Sequence, residues 1–235
     1  MNKSKDIICN SEHSTPSEEA GRGVEIKRFV TNAIGENCYL LWDDTLECAI
    51  IDCGAWGEQK EARIAQFIEE NHLVPRLALQ THMHFDHIMG LSFLHRKYGL
   101  QPLCHIDEQR VYEAAPAMVS EWFGQQMPPL VPVGEYLVDE QTLQLGHTLI
   151  RVLHTPGHTP GGLCFYLPNE KMLFSGDTLF QGSVGRSDLP GGDVEKLIRG
   201  IWDKILFLPD DVTVYPGHGP TTTVGDERRT NPYLS

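Results

Sequence analysis

The segment Thr81-His82-Met83-His84-Phe85-Asp86-His87 constrains this chain more than any other feature. Four of its seven residues carry metal-competent donors. It follows the apolar stretch 77–80 (LALQ), which reads as a short buried strand. In an extended backbone residues 82, 84 and 86 project to one side. A turn at 86–87 would swing His87 into the same space. The strand end is then expected to present imidazoles and a carboxylate suited to zinc, iron or manganese. Reading Asp86 merely as the N-cap of the next helix would leave three closely spaced histidines without a purpose.

Three more sites share one pattern, a strand-like stretch ending in a glycine turn that carries a single donor. They are His158 in TPGHTPG (155–161), Asp177 in SGDT (175–178) and His218 in YPGHG (215–219). Glycine before each donor permits the sharp turn that presents it at a sheet edge. Singly each is an ordinary polar turn; together they supply what a binuclear centre lacks after Thr81–His87. The other histidines (His13, His72, His95, His105, His147, His154) are expected at the surface or in a satisfied core. His154, four residues before His158, is the one placed to support a ligand from behind.

The rest of the 235-residue chain alternates strand-like and helix-like stretches. Strands are expected at 24–30, 37–42, 47–52 and 77–80, and later in TLQL, HTLIRVLHT, LCFYLP, KMLFSGD and VTVYPGHG. Helices are expected over Glu58–His72, Leu91–Tyr98, Glu108–Phe123 and Asp193–Phe207. The last has Leu197, Ile198, Ile201, Trp202 and Ile205 on its apolar side. Two successive blocks of strands and helices, without a sequence repeat, point to two packed sheets covered by helices, an α+β fold. Residues 1–23 are polar and aperiodic and read as a flexible tail, leaving 24–235 as one domain.

A net charge of −13 argues against a nucleic-acid or anionic-membrane partner. No apolar run approaches a membrane span. Six scattered cysteines without a Cys-x-x-Cys pair, and no signal-peptide core, give a cytoplasmic expectation. Oligomeric state is left open.

In this order the motifs THMHFDH, TPGHTPG, SGDTLF and YPGHG resemble the metallo-β-lactamase superfamily, in its glyoxalase II-like branch. The resemblance runs from about Val24 to Leu234. It implies a four-layer αββα sandwich of two mixed β-sheets flanked by helices, with a metal centre at one edge. Carried over by residue, His82, His84 and His158 would hold one divalent ion, and Asp86, His87 and His218 a second. Asp177 would bridge them, with Asp86 and Asp177 as the candidate catalytic carboxylates. Zinc is the first expectation for both ions. The implied reaction is hydrolysis of an acyl thioester such as S-lactoylglutathione by a metal-bridging hydroxide. Arg186, in GRSD (185–188), matches a basic position that contacts glutathione in that branch, although an ion pair with Asp188 would equally account for it. The GRSDLPGG loop and the ending ERRTNPYLS resemble shorter bacterial hydrolases of this kind, without the C-terminal helical region of typical glyoxalase II.

The nearest rival by resemblance is persulfide dioxygenase, which would use one iron on His82, His158 and Asp177. A β-lactamase proper is disfavoured by aspartate at 177, and a nuclease by the acidic charge. A non-enzymatic metal-stabilised module would call for closed coordination rather than two ions sharing seven ligands.

Overall fold

The computed structural model describes residues 23–234, so nearly all of the expected N-terminal tail lies outside the described residues. The first sheet is built in chain order from β1 (Glu25–Val30), β2 (Asn37–Trp42), β3 (Glu47–Ile51), β4 (Val74–Leu79), β5 (Pro102–His105) and β6 (Glu135–Leu137). Its first three strands pair antiparallel and the rest parallel. The second sheet contains β7 (Thr142–Leu145), β8 (Thr148–His154), β9 (Leu163–Leu167) and β10 (Met172–Gly176). A ribbon of β11 (Leu179–Phe180) and β12 (Ser183–Val184) follows. Then β13 (Thr213–Pro216) and β14 (Thr222–Thr223) complete the second sheet, in the order β14-β13-β10-β9-β8-β7. The helices are α1 (Glu58–Glu70), α2 (Phe85–Ile88), α3 (Leu91–Tyr98), α4 (Gln109–Phe123), α5 (Val194–Gly200) and α6 (Val224–Thr230).

β2 reads NCYLLW, without polar alternation, because both of its faces are buried. Cys38, Leu40 and Trp42 join a core with Ile64 and Ile68 of α1, Leu94 of α3 and Val119 of α4. Tyr39 and Leu41 point the other way, against Ile150, Val152, Phe165 and Phe174 of the second sheet. The second sheet divides likewise, with Leu153, Cys164 and Leu173 packing on Leu197, Ile201 and Ile205. Period-two alternation thus sorts side chains into three apolar cores, and four layers follow: helices, sheet, sheet, helices. Each fully buried Leu, Ile or Phe contributes about 1.5–3 kcal/mol to that arrangement.

Several details differ from the sequence expectation. β5 and β6 have no visible signal, since PLCH and EYL are short and join the sheet only through parallel pairing, β5 with β4 and β6 with β5. The helix expected over Asp193–Phe207 ends as α5 at Gly200 and continues as a π turn, Ile201–Ile205. That turn keeps Leu197, Ile201 and Ile205 buried, whereas Trp202 is 44% exposed rather than on the apolar face. α6 has no counterpart in the sequence expectation; Thr223 caps it by accepting the Asp226 amide at 3.1 Å. Among the described residues the cysteines are buried and unpaired, and no helix is long and apolar enough to cross a membrane.

Candidate metal centre

All seven expected donors lie just past the C-terminal ends of β4, β8, β10 and β13. The segment 78–91 is buried throughout. His82 and His84 leave β4 in an extended connection, and His84 (φ −63°, ψ 147°) caps α2. Asp86 therefore reaches the site from the first turn of a helix, not from the extended run, and brings His87 with it. Gly176 adopts φ +50° where the β10–β13 register shifts, a backbone that turns Asp177 inward and that other residues take only under strain.

Two groups of donors result. His82, His84 and His158 place donor atoms within 4.8 Å of one another, and His84 Nδ1 lies 3.0 Å from His158 Nε2. Asp86, His87 and His218 form the second group. In it Asp86 Oδ2 stands 3.1 Å from His218 Nε2 and 3.5 Å from His87 Nε2. Asp177 reaches both: Oδ1 is 3.5 Å from His87 Nε2, and Oδ2 is 3.6 Å from His158 Nε2 and 3.8 Å from His218 Nε2.

This geometry fits cations. His82 Nε2, His87 Nε2 and Asp177 Oδ1 are buried and have no hydrogen-bond partner in the protein, which natural folds rarely tolerate without a ligand. Space is kept open beside them by Gly217, where a Cβ would stand 2.3 Å from Asp177 Oδ1 and 2.7 Å from His87 Cε1.

The outer partners fix which nitrogen faces inward. His87 Nδ1 donates to Asp52 Oδ2 at 3.0 Å, and His158 Nδ1 donates to the Arg186 carbonyl at 2.7 Å. Both bonds leave Nε2 with a lone pair for the centre. Asp52 also accepts the Thr81 amide (2.8 Å) and hydroxyl (2.6 Å), tying the end of β3 to the loop after β4. Glu108, fully buried, accepts the amides of Met83 (2.7 Å) and Gly161 (2.8 Å) and so clamps the His82–His84 loop to the His158 loop. Asn37 and Tyr39 donate to the Pro216 carbonyl and hold the His218 loop.

Burial, reinforced by the neighbouring histidines, drives His82 well below its ordinary pKa and His84 down to about 3. Burial would raise Asp86 and Asp177, but the adjacent His87 first, and His218 with it, holds both below the usual carboxylate range. His87 is raised despite its burial, because Asp86, Asp177 and Asp52 surround it. Positive charge is thus favoured where the second group converges, and neutral imidazoles with ionised carboxylates are the protonation states that bind metal.

Among the other candidates, Arg186 lies on the surface with Nε and Nη2 each 2.8 Å from a carboxylate oxygen of Asp188. Its contact with the site is the main-chain carbonyl on His158. His154 stacks on His105 at 4.0 Å and meets the Pro160 carbonyl at 3.2 Å, which places it behind the His158 loop. Asp52 and Glu108 escaped sequence reading. Asp52 had a weak signal as the polar end of an apolar strand, and Glu108 had none.

Two cavities flank the centre. One, of about 740 Å³, is bordered by His84 and carries Asp107, Arg110 and Glu113. The other, of about 500 Å³, is bordered by Asp86 and is mainly apolar.

The sequence profile of the metallo-β-lactamase superfamily matches residues 31–218. Hydroxyacylglutathione hydrolase GloC of Haemophilus influenzae is 36% identical over 213 residues, covering 90% of this chain and 99% of that protein. Among solved structures, BLEG-1 B3 metallo-β-lactamase superposes with TM-score 0.82 at 36% identity, over 90% of this chain and 100% of that one. TTHA1623 in a di-iron-bound form gives TM-score 0.78 at 37% identity, over 88% and 100% of the two chains.

Proposed function

This chain belongs to the metallo-β-lactamase superfamily, and from that footing we propose that it is a binuclear metallohydrolase of the glyoxalase II type, cleaving an acyl thioester such as S-lactoylglutathione. The observation that carries the reading is the position of Asp177, whose two oxygens face two separate donor groups. The likeness to a hydroxyacylglutathione hydrolase over nearly all of both chains supports the thioester class.

His82, His84 and His158 would hold one divalent ion and Asp86, His87 and His218 the other, with Asp177 shared. Two such ions, zinc first and iron or manganese also suited to these donors, would acidify water and polarise a carbonyl at neutral pH. Asp86 and Asp177 are held below the usual carboxylate range, so each would accept a hydrogen bond from water and aim it rather than store its proton. Asp52 and the Arg186 carbonyl keep His87 and His158 in the tautomers this requires. In the net reaction a carbon–oxygen bond forms at the acyl carbon and the carbon–sulfur bond breaks. One water supplies the hydroxyl of the acid and the proton of the thiol.

The cavity beside His84, which carries Asp107, Arg110 and Glu113 among apolar residues, suits a small-molecule carrier with charges of both signs. Arg110 has no ion-pair partner among the described residues and is free to meet a carboxylate. Arg186 would first have to leave Asp188.

The test is the initial rate of S-D-lactoylglutathione hydrolysis by zinc-loaded protein, with His84→Ala as control. A kcat/KM above ~10⁴ M⁻¹s⁻¹ that vanishes in the control is expected. A background rate removes glutathione thioesters. Oxygen uptake with a persulfide by iron-loaded protein would replace the reading with the mononuclear-iron dioxygenase.

A further inference from the structure

We propose that the apolar cavity beside Asp86 is an acyl pocket selecting thioesters whose acyl group ends in an aryl or branched alkyl chain. The assignment rests on the thioesterase reading above.

The cavity of about 500 Å³ is walled by Ile34, Trp56, Phe85, Met89 and Phe123, and Asp86 also lines it. Lys60 is its one other charged lining residue. The rings form an edge-to-face box: Trp56 and Phe123 at 6.5 Å and 81°, Phe85 and Phe123 at 5.5 Å and 62°. Edge-to-face walls offer ring faces to an incoming aromatic group. Phe123 and Ile34 remain 42% and 50% exposed, so large apolar surfaces are left open around one concave site. Its wall is tied to the donor segment, because Asn32 Nδ2 donates to the Asp86 main-chain carbonyl at 2.9 Å.

A thioester has two arms, and the cavities on the two flanks differ in kind. The flank at His84 holds Asp107, Arg110 and Glu113 and suits the charged thiol carrier. The flank at Asp86 then receives the acyl arm. A lactoyl group brings a single methyl beyond its hydroxyl-bearing carbon and leaves most of the pocket to water, whereas a phenyl or isobutyl group covers the aromatic walls.

The experiment has two arms. The first compares kcat/KM for phenyllactoyl- and lactoylglutathione in zinc-loaded wild type, Phe123→Ala and Trp202→Ala. A preference of about tenfold or more for the aryl substrate is expected, falling towards unity in Phe123→Ala and retained in Trp202→Ala, whose ring is remote. The second follows 3-phenyllactate binding to chelator-treated protein by ligand-observed saturation-transfer NMR. Transfer to the phenyl protons is expected in wild type and lost in Phe123→Ala. Equal rates on both substrates, with no NMR transfer, overturn the pocket and leave the thioesterase standing. No hydrolysis of either substrate, with transfer that depends on Phe123, overturns the thioesterase and keeps an aryl-binding site. A dimer that Phe123→Ala dissociates would show a second copy occupying the cavity and would overturn the assignment.

Discussion

His87 Nδ1 lies 3.0 Å from Asp52 Oδ2, and this one bond decides which imidazole nitrogen faces Asp86 and Asp177. Asp52→Asn tests the dependence. An amide nitrogen turned to His87 would demand an acceptor at Nδ1 and move the proton to Nε2, the nitrogen the centre needs. Metal affinity at the second group should fall about 10–100-fold, read by competitive zinc titration. An unchanged affinity with lowered Tm would reduce Asp52 to a brace for Thr81.

Glu108 makes a separate prediction because its two oxygens serve two loops. Glu108→Gln keeps the shape but leaves one acceptor oxygen, so either the Met83 or the Gly161 amide loses its partner. A buried amide orphaned in this way costs about 1–3 kcal/mol, which urea unfolding of the chelator-treated protein should show. Glu108→Ala should cost more, since it orphans both. If neither variant shifts the urea midpoint, the two ligand loops are held by other means.

The four donor motifs and most strands are legible in the sequence, because donors and glycine turns are local and stretches such as NCYLLW are rich in β-formers. What stayed hidden depends on the tertiary fold. Glu108 sits in an unremarkable stretch and acquires its role only when the loops after β4 and β8, which belong to different sheets, come together around it. β5 exists only because β4 offers it an edge, and β6 because β5 does. Arg186 stands out in the sequence for its side chain, while its contact with the centre is a carbonyl that any residue would supply.

Chelation should destabilise the fold measurably. With donors such as His82 Nε2 and Asp177 Oδ1 buried and unpartnered in the protein, bound metal stabilises by mass action, about 2.7 kcal/mol at a hundredfold excess over Kd. Calorimetry should show Tm falling on stripping and returning with added zinc. A Tm indifferent to metal would count against the donor set.

At the far end of the sandwich Asp43 pins the β2–β3 turn to the β7–β8 turn. It accepts the Thr45 amide at 3.0 Å, the His147 amide at 2.6 Å and the Thr148 hydroxyl at 3.0 Å. Burial would raise its pKa, but these bonds, with that of the Thr45 hydroxyl, outweigh it and hold the carboxyl below its ordinary value. A group lowered on folding contributes stability above its unfolded pKa and loses it as pH falls through the folded one. Asp43→Asn should therefore cost about 2 kcal/mol at pH 7 and progressively less below pH ~4. Urea midpoints of the two proteins at pH 7 and pH 3 check the convergence.

The two arginines give opposite predictions for the carrier. Arg110 borders the cavity at His84 without an ion-pair partner among the described residues, whereas the Arg186 guanidinium is paired twice with Asp188. Losing a charge-assisted bond made equally in ground and transition states raises KM and spares kcat. Arg110→Ala should raise KM for lactoylglutathione about tenfold or more. Arg186→Ala should change it little, because it removes an exposed ion pair and leaves the carbonyl that orients His158. The reverse ranking would place the carrier along the Gly185–Asp188 loop and return the carboxylate to Arg186.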